Sequence, residues 1–343
     1  MNYLSSKSLE TVLPDYEQVF RIIQDIRNTA QNESYEMEEY EHIPYRNVVS
    51  IWGERGSGKT SVFMTLRNAL MGKTDDEAYK KAMDSNKELK GDCHLSLIVP
   101  EMLEEGTDLL GVILLKIKKE IENKKKEHPE VDTGEGRNAQ FESCIYKKKD
   151  ELDTLWDEAF ATYLMRAEGY NSIASKNYTN FYDYSKQREE SLRSEINLRE
   201  KIYKLFTKIS ERFRNKNEKS LIFVYIDDAD INRQRCAETV NTILRYLKHP
   251  NVVVFLSGDK DKMERELLWY ELKDESILPK CSNELMESVK ATKKQYVYDL
   301  LKKVVPYSGR FNLQKLKNAK KKELLLEWNC NSYFICKKRT LIN

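Results

Sequence analysis

Hydrophobic residues form two patterns along the chain, short apolar runs and longer stretches with helical spacing. Three runs, RNVVSIW (46–52), SLIFVYI (220–226) and NVVVFL (251–256), have the length and composition of buried β-strands. A fourth, CHLSLIVPEML (93–103), predicts a strand that Pro100 ends. The helical spacing predicts helices over 15–32, 59–72, 108–130, 196–216, 233–250, 260–273 and 282–306.

This alternation predicts an α/β fold, in which a mainly parallel sheet of the P-loop ATPase type lies between two layers of helices. We divide the chain into an N-terminal helical segment (1–46), a first core part (47–130), a charged helical insertion (131–195), a second core part (196–273) and a helical lid with a basic tail (274–343). The tyrosine-rich part of the insertion is expected to be a loop. The end of the tail has no clear period, which fits either a docking tail or a chain that stops ahead of a further domain.

Composition and charge narrow the class of protein. Hydrophobic residues make up 40% of the 343 positions and charged residues 33%, as in a globular protein. The formal net charge of +2 gives no global field that would attract nucleic acid or an anionic membrane. The apolar runs are too short for a membrane span and the N-terminus lacks a signal-peptide pattern, so a cytoplasmic protein is expected. The cysteines and histidines are scattered and indicate neither a zinc site nor a histidine-centred nucleophile.

The segment from Gly53 to Thr60, GERGSGKT, matches the complete P-loop pattern and stands where a predicted strand becomes a predicted helix. Its glycines allow a tight turn whose backbone N–H groups point at phosphate oxygens, and the helix N-terminus adds positive charge. Lys59 is expected to reach the outer phosphates of ATP, and the Thr60 hydroxyl to bind Mg²⁺. The residues expected to contact the nucleotide are Gly53, Glu54, Arg55, Gly56, Ser57, Gly58, Lys59, Thr60 and Ser61.

The apolar run before Asp227 ends in the acidic sequence DDAD. Asp227 is the expected Mg²⁺ ligand, and Asp228 stands where a catalytic carboxylate would polarise the attacking water. The alternative, a strand that merely ends in an acidic turn, is weaker because a complete P-loop precedes it. We expect Asp230 to cap the next helix.

Polar residues also follow the run that ends at 256. Asp259 is the first candidate for a residue that senses the γ-phosphate and Ser257 the second, whereas a helix N-cap is the structural alternative for Asp259. Arg310 is a candidate phosphate contact from a lid or a neighbouring subunit, with a solvated side chain as the alternative. Arg233 and Arg235 are candidates for a residue that acts on a neighbour's site.

Three lysine runs, 124–126, 147–149 and 320–322, carry clustered positive charge. Such clusters bind nucleic-acid phosphates in some proteins, although solvated helix faces are the more common outcome. Nucleic acid therefore stays an alternative partner.

The P-loop, the segment from 226 to 259 and the helix that ends in QYVYDLLKKVVPYSGRFNL resemble the KAP-type P-loop ATPases, relatives of the AAA+ and STAND ATPases. The family pattern implies roles for Asp227, Asp228 and Asp259. The stretch LIVPEMLEEGTDLLGVILLKI (97–117) is similar to the ATPase subunits of bacterial anti-phage systems, notably the one partnered with an RNA-editing adenosine deaminase. The resemblance covers roughly residues 15–315. Many KAP proteins carry membrane helices in the ATPase domain, which this sequence lacks, and the defence ATPases are usually longer.

The resemblance implies a cytoplasmic, Mg²⁺-dependent ATPase whose hydrolysis gates or drives assembly of a defence complex, with a homo-oligomer such as a ring and an effector protein as partners. Two alternatives stay open. One is an ATP-dependent DNA-binding module of the initiator type, and the other is a nucleotide-bound switch or scaffold with little turnover.

Overall fold

A computed structural model describes residues 3–32, 47–83, 91–127, 150–175, 181–213, 218–272 and 283–315. Five strands in these ranges form one parallel sheet with the order β2-β3-β4-β1-β5. The strands are β1 (Val48–Trp52), β2 (Cys93–His94), β3 (Ile222–Ile226), β4 (Val252–Gly258) and β5 (Arg310–Asn312). The prediction of a parallel α/β fold is confirmed.

The helices cover both faces of the sheet. Those described are α1 (Ser6–Val12), α2 (Tyr16–Asn32), α3 (Lys59–Leu70), α4 (Glu77–Met83), α5 (Leu109–Glu127), α6 (Glu151–Ser175), α7 (Phe181–Arg212), α8 (Arg233–Tyr246), α9 (Lys260–Leu272) and α10 (Asn283–Val304). Short 3₁₀ turns occupy Pro100–Met102 and Tyr307–Gly309. None of these helices combines the length and apolar character needed to cross a bilayer.

Strand β4 lies between β1 and β3, the strands that precede the P-loop and the acidic sequence. The strand that carries Ser257 therefore lies between the other two. Every residue of β1, β3 and β4 is buried. Because a parallel sheet with helices on both faces leaves no polar side, such strands read as continuous apolar runs.

Alternate strand residues contribute to two hydrophobic cores. Val48, Val224 and Val254 face the layer formed by α5 to α10. Val49, Phe223 and Val253 face the layer formed by α1 to α4. The P-loop helix α3 belongs to this second layer, so the loop crosses from the sheet edge to that face.

A buried ion pair fastens the N-terminal helices to the sheet. Arg27 of α2 donates to the carboxylate of Asp92, and both side chains are almost completely buried. Asp92 also accepts a hydrogen bond from the Leu221 N–H (2.9 Å) at the start of β3. Burial raises the pKa of Asp92, and the charge of Arg27 opposes that shift.

The insertion differs from the sequence prediction. We expected a loop in its tyrosine-rich part and a helix from 196, but the residues described on either side of 176–180 belong to two long helices, α6 and α7, that pack against each other. Residues 176–180 of the tyrosine-rich part lie outside the described residues. Helix α7 therefore crosses the boundary placed at 195. Apolar residues near the sheet, such as Trp156 and Phe206, are buried, which explains why the helical period is clear there. Charged residues dominate the distal part of α7, where periodicity is weak.

Two expectations lie outside or partly outside the described residues. The lysine runs 147–149 and 320–322 and the tail from 316 onward are outside them. In the run 124–126, Lys124 is buried and Lys125 forms ion pairs with Asp150 (2.7 Å) and Asp153 (2.9 Å). These two lysines therefore do not form the nucleic-acid surface considered above.

Candidate nucleotide site

The P-loop connects β1 to α3 at the carboxyl edge of the sheet. Gly56 (φ 78°) and Gly58 (φ 90°) both adopt the left-handed conformation, which explains the glycines at these two turns. Gly58 is the N-cap of α3, and no side chain caps that helix end. The first N–H groups of α3 therefore lack a side-chain acceptor, as in helix N-termini that bind anions.

Lys59 is buried to 7% exposure at the start of α3. Its Nζ donates to the carbonyls of Gly53 (3.0 Å) and Glu54 (3.2 Å), so the ammonium group lies inside the loop. Thr60 is exposed and Ser61 is half-buried in the same helical turn. The loop therefore holds the Lys59 cation within its turn, and the exposed Thr60 follows at the start of α3.

Asp227 and Asp228 follow β3 at the same edge of the sheet. Asp227 is 2% exposed, and its backbone N–H donates to the Ile98 carbonyl (2.9 Å). Asp228 has φ 53°, the left-handed region that non-glycine residues rarely adopt and that is often found at functional sites. Burial, followed by repulsion from Asp227, raises the pKa of Asp228, while Lys59 acts in the opposite direction.

Ser257, at the end of β4, joins the central strand to the acids. Its hydroxyl donates to Asp227 Oδ1 and accepts from the Asp228 N–H (3.3 Å). The Ala229 N–H also donates to the Ser257 carbonyl (3.0 Å). The structure therefore brings the second-choice sensor residue into direct contact with the acids.

Asp259 accepts a hydrogen bond from the Lys262 N–H (3.1 Å) and so caps α9, as the structural alternative predicted. The same residue lines a cleft of about 520 Å³ beside the P-loop. Glu54 and Lys315 form an ion pair (2.5 Å) among the residues of this cleft. Its lining residues are Trp52, Gly53, Glu54, Arg55, Gly56, Ser57, Asp259, Lys260, Asp261, Asn312, Leu313, Gln314 and Lys315.

The prediction for Asp230 is wrong. Asn232 caps α8, and its side chain accepts from the Arg235 N–H (2.8 Å). Asp230 is instead buried against Gly258, with Oδ2 3.4 Å from the Lys262 Nζ. The helix begins at Arg233, so Asn232 and not Asp230 occupies the N-cap position.

The structure gives two of the three candidate arginines structural contacts. Arg310 is half-buried and donates to the carbonyls of Val305 (2.8 Å) and Leu301 (3.1 Å), so its guanidinium binds the C-terminal end of α10. Arg235 donates to the carbonyls of Leu103, Glu104 and Thr107 and holds that loop against α8. These carbonyl contacts are the ones that Arg310 and Arg235 make within this chain, and a phosphate contact of Arg310 from a lid or a neighbouring subunit and a trans-acting role of Arg235 stay predictions. Arg233 stays about half exposed and pairs with Glu266 (3.5 Å).

Sequence reasoning did not single out Glu101. This exposed residue stands in the turn Pro100–Met102, and its charge contributes to the raised pKa of Asp228. The sequence did contain a signal for Glu101. It directly follows Pro100, which ends the predicted strand 93–103, and parallel strands have their carboxyl ends at the same edge of the sheet, where Asp227 is expected.

The donor set fits Mg²⁺ bound jointly with a substrate. Within the described residues, no group of three His, Cys, Asp or Glu side chains forms a metal cage. Mg²⁺ commonly uses one or two carboxylates together with phosphate oxygens and water, for which Asp227 and Thr60 are suitable. No family model and no curated protein matches the chain.

Proposed function

We propose that the protein is a Mg²⁺-dependent ATPase. One observation carries this proposal: the P-loop, the Asp227-Asp228 pair and Ser257 meet at the carboxyl ends of three adjacent strands. Nucleotide phosphates bind at that edge in P-loop proteins, and hydrolysis requires a carboxylate there to orient water.

Each residue has a distinct part in the proposed reaction. The N–H groups of 56–60 and the Lys59 ammonium would bind the phosphates, and Thr60 and Asp227 would hold Mg²⁺, which when bound would supply positive charge to the phosphate oxygens. Asp228, as the carboxylate, accepts a hydrogen bond from the attacking water and orients it toward the γ-phosphorus. Ser257 fixes the position of both acids through its hydroxyl.

The biological role rests on the resemblance to the KAP-type ATPases. On that basis we propose that hydrolysis gates or drives assembly of a bacterial anti-phage complex in the cytoplasm, with a homo-oligomer, such as a ring, and an effector protein as the assembled partners. Mass measurement with and without ATP and Mg²⁺ tests this part, and a monomer in both states would contradict it.

Two variants test the ATPase assignment. Lys59→Ala is expected to abolish ATP binding, because it removes the cation inside the loop. Asp228→Asn is expected to retain binding but lose turnover, because the amide keeps the size of the side chain without the acceptor charge. Lys73→Ala, beyond the other end of α3 at an exposed position, is the matched control and should behave as the unmodified protein. Undiminished hydrolysis in Asp228→Asn would refute the assigned role.

A further inference from the structure

Exposed lysines and tyrosines follow one face of α10 and the turn after it. Lys290, Lys294, Tyr298 and Lys302 are spaced by four residues, so they lie on one side of the helix, and Tyr307 follows in the 3₁₀ turn. All five are exposed. We call these five residues the lysine-tyrosine strip.

The cations of this strip are largely available. Lys290 pairs with Glu287 (3.2 Å) at an exposed position, which contributes little energy. Among the ion pairs of the described residues, neither Lys294 nor Lys302 has a carboxylate partner. Lys302 instead lies with its Nζ 5.7 Å from the centre of the Tyr307 ring.

The two tyrosine rings are held in place and still face solvent. Tyr298 is 40% exposed and Tyr307 56% exposed, and their hydroxyl groups contact each other. The Arg310 guanidinium lies 4.6 Å from the centre of the Tyr307 ring. Because Arg310 is itself bound to two backbone carbonyls, it supports this ring from a fixed position.

The fold does not need these rings for its core. Helix α10 packs on the protein through Val297, Leu301 and Val304, which are buried next to the strip, and not through the two exposed rings. Exposed aromatic rings placed among cations are instead typical of surfaces that bind single-stranded nucleic acid, in which phosphates contact cations and bases stack on the rings.

We propose that the lysine-tyrosine strip binds single-stranded nucleic acid. Lys294 and Lys302, with Lys290, contact backbone phosphates, and unpaired bases stack on Tyr298 and Tyr307. An acidic protein segment could pair with the lysines, but it would offer no bases to stack on the two tyrosine rings. The strip is separate from the P-loop. Gly309 ends the turn that contains Tyr307, and its carbonyl accepts a hydrogen bond from the Ser50 hydroxyl (3.2 Å) within β1. The P-loop instead follows the carboxyl end of β1, and β5 runs parallel to β1 from Arg310 onward. The proposal therefore does not depend on ATP hydrolysis.

Fluorescence anisotropy with labelled single-stranded DNA, single-stranded RNA and duplex DNA of one sequence tests the proposal. The unmodified protein should bind both single strands more tightly than the duplex at about 50 mM salt. The double variant Lys294→Glu/Lys302→Glu should reduce affinity at least about tenfold and reduce the slope of log K against log salt by about 1.4, the value for two phosphate contacts on a single strand.

A matched control carries the same change in net charge elsewhere. Lys7→Glu/Lys81→Glu alters two exposed lysines in the N-terminal layer and should bind as the unmodified protein does. Tyr298→Ala/Tyr307→Ala should lose at least about fivefold in affinity, whereas Tyr298→Phe/Tyr307→Phe keeps the rings and should retain it. Circular dichroism melting checks that each variant is folded.

Three results would overturn the proposal. One is the absence of binding to either single strand at about 50 mM salt. The second is an equal loss of affinity in the strip and control variants. The third is unchanged affinity in the tyrosine-to-alanine variant, since stacking would then contribute nothing. Tighter binding of DNA than RNA, or the reverse, would identify the ligand, and either result supports binding through phosphate contacts and base stacking.

Discussion

The hydrogen bond from the Ser257 hydroxyl to Asp227 leads to a quantitative prediction for the stability of the folded protein. Ser257 is fully buried, and its Oγ donates to a carboxylate that is itself 2% exposed. Hydrogen bonds to charged groups contribute about 1.5–3 kcal/mol, and bonds between neutral groups about 0.5–1.5 kcal/mol. Ser257→Ala removes a bond of the first kind and leaves the Asp228 N–H as the remaining donor to Asp227 Oδ1. We expect the free energy of unfolding to fall by about 2 kcal/mol.

A second buried serine provides the comparison. Ser210 is also fully buried, but its Oγ donates to the neutral carbonyl of Thr207 (2.7 Å). Ser210→Ala is therefore expected to cost about 1 kcal/mol. Urea unfolding of both variants without nucleotide measures the difference, provided that the dependence on urea is unchanged. If Ser257→Ala costs no more than Ser210→Ala, the contact does not orient the acids in the way described. ATP turnover should also fall in Ser257→Ala and stay unchanged in Ser210→Ala.

Three further predictions concern other parts of the molecule. Arg27→Met leaves the buried Asp92 carboxylate without its cation and should cost about 3–5 kcal/mol in urea unfolding, so a loss below about 1 kcal/mol would contradict the buried pair. Gly111→Ala places a methyl group against the Tyr163 hydroxyl. We expect this overlap to lower the free energy of unfolding, although alanine favours helices more than glycine does. Adding Tyr163→Phe to that variant should recover part of the lost stability. Because the pKa of Asp228 is raised, the turnover number should fall on acidification at a pH above about 3.9, the pKa of an ordinary aspartate. A turnover number that stays constant down to that pH would contradict the role of the Asp228 carboxylate.

The sequence was most informative where a local pattern determines the structure. The runs before Trp52, Ile226 and Gly258 are apolar because both faces of their strands are covered, so the strands and their carboxyl-edge residues could be predicted. The predicted strand 93–103 proved to be two residues of β2 and a single bridge from Ile98 to Ile226. A continuous apolar run there reflects burial rather than continuous pairing.

The arginines illustrate what the sequence could not show. The acceptors of Arg235 are carbonyls about 130 positions earlier in the chain, and those of Arg310 belong to the end of the preceding helix. A backbone carbonyl acceptor cannot be predicted from the identity of a residue, because every residue has a backbone carbonyl. The sequence therefore could not show that these arginines bind backbone carbonyls within the chain.

The loop held by Arg235 also connects the acid edge to the α6–α7 pair. Its last residue, Asp108, caps α5 and accepts a hydrogen bond from the Tyr163 hydroxyl of α6 (2.7 Å). Helix α7, with 32 residues, is about 48 Å long at 1.5 Å per residue. Helix α6 packs against this long helix, so a shift of the loop would reach α7 through the Asp108–Tyr163 hydrogen bond and the contact between α6 and α7.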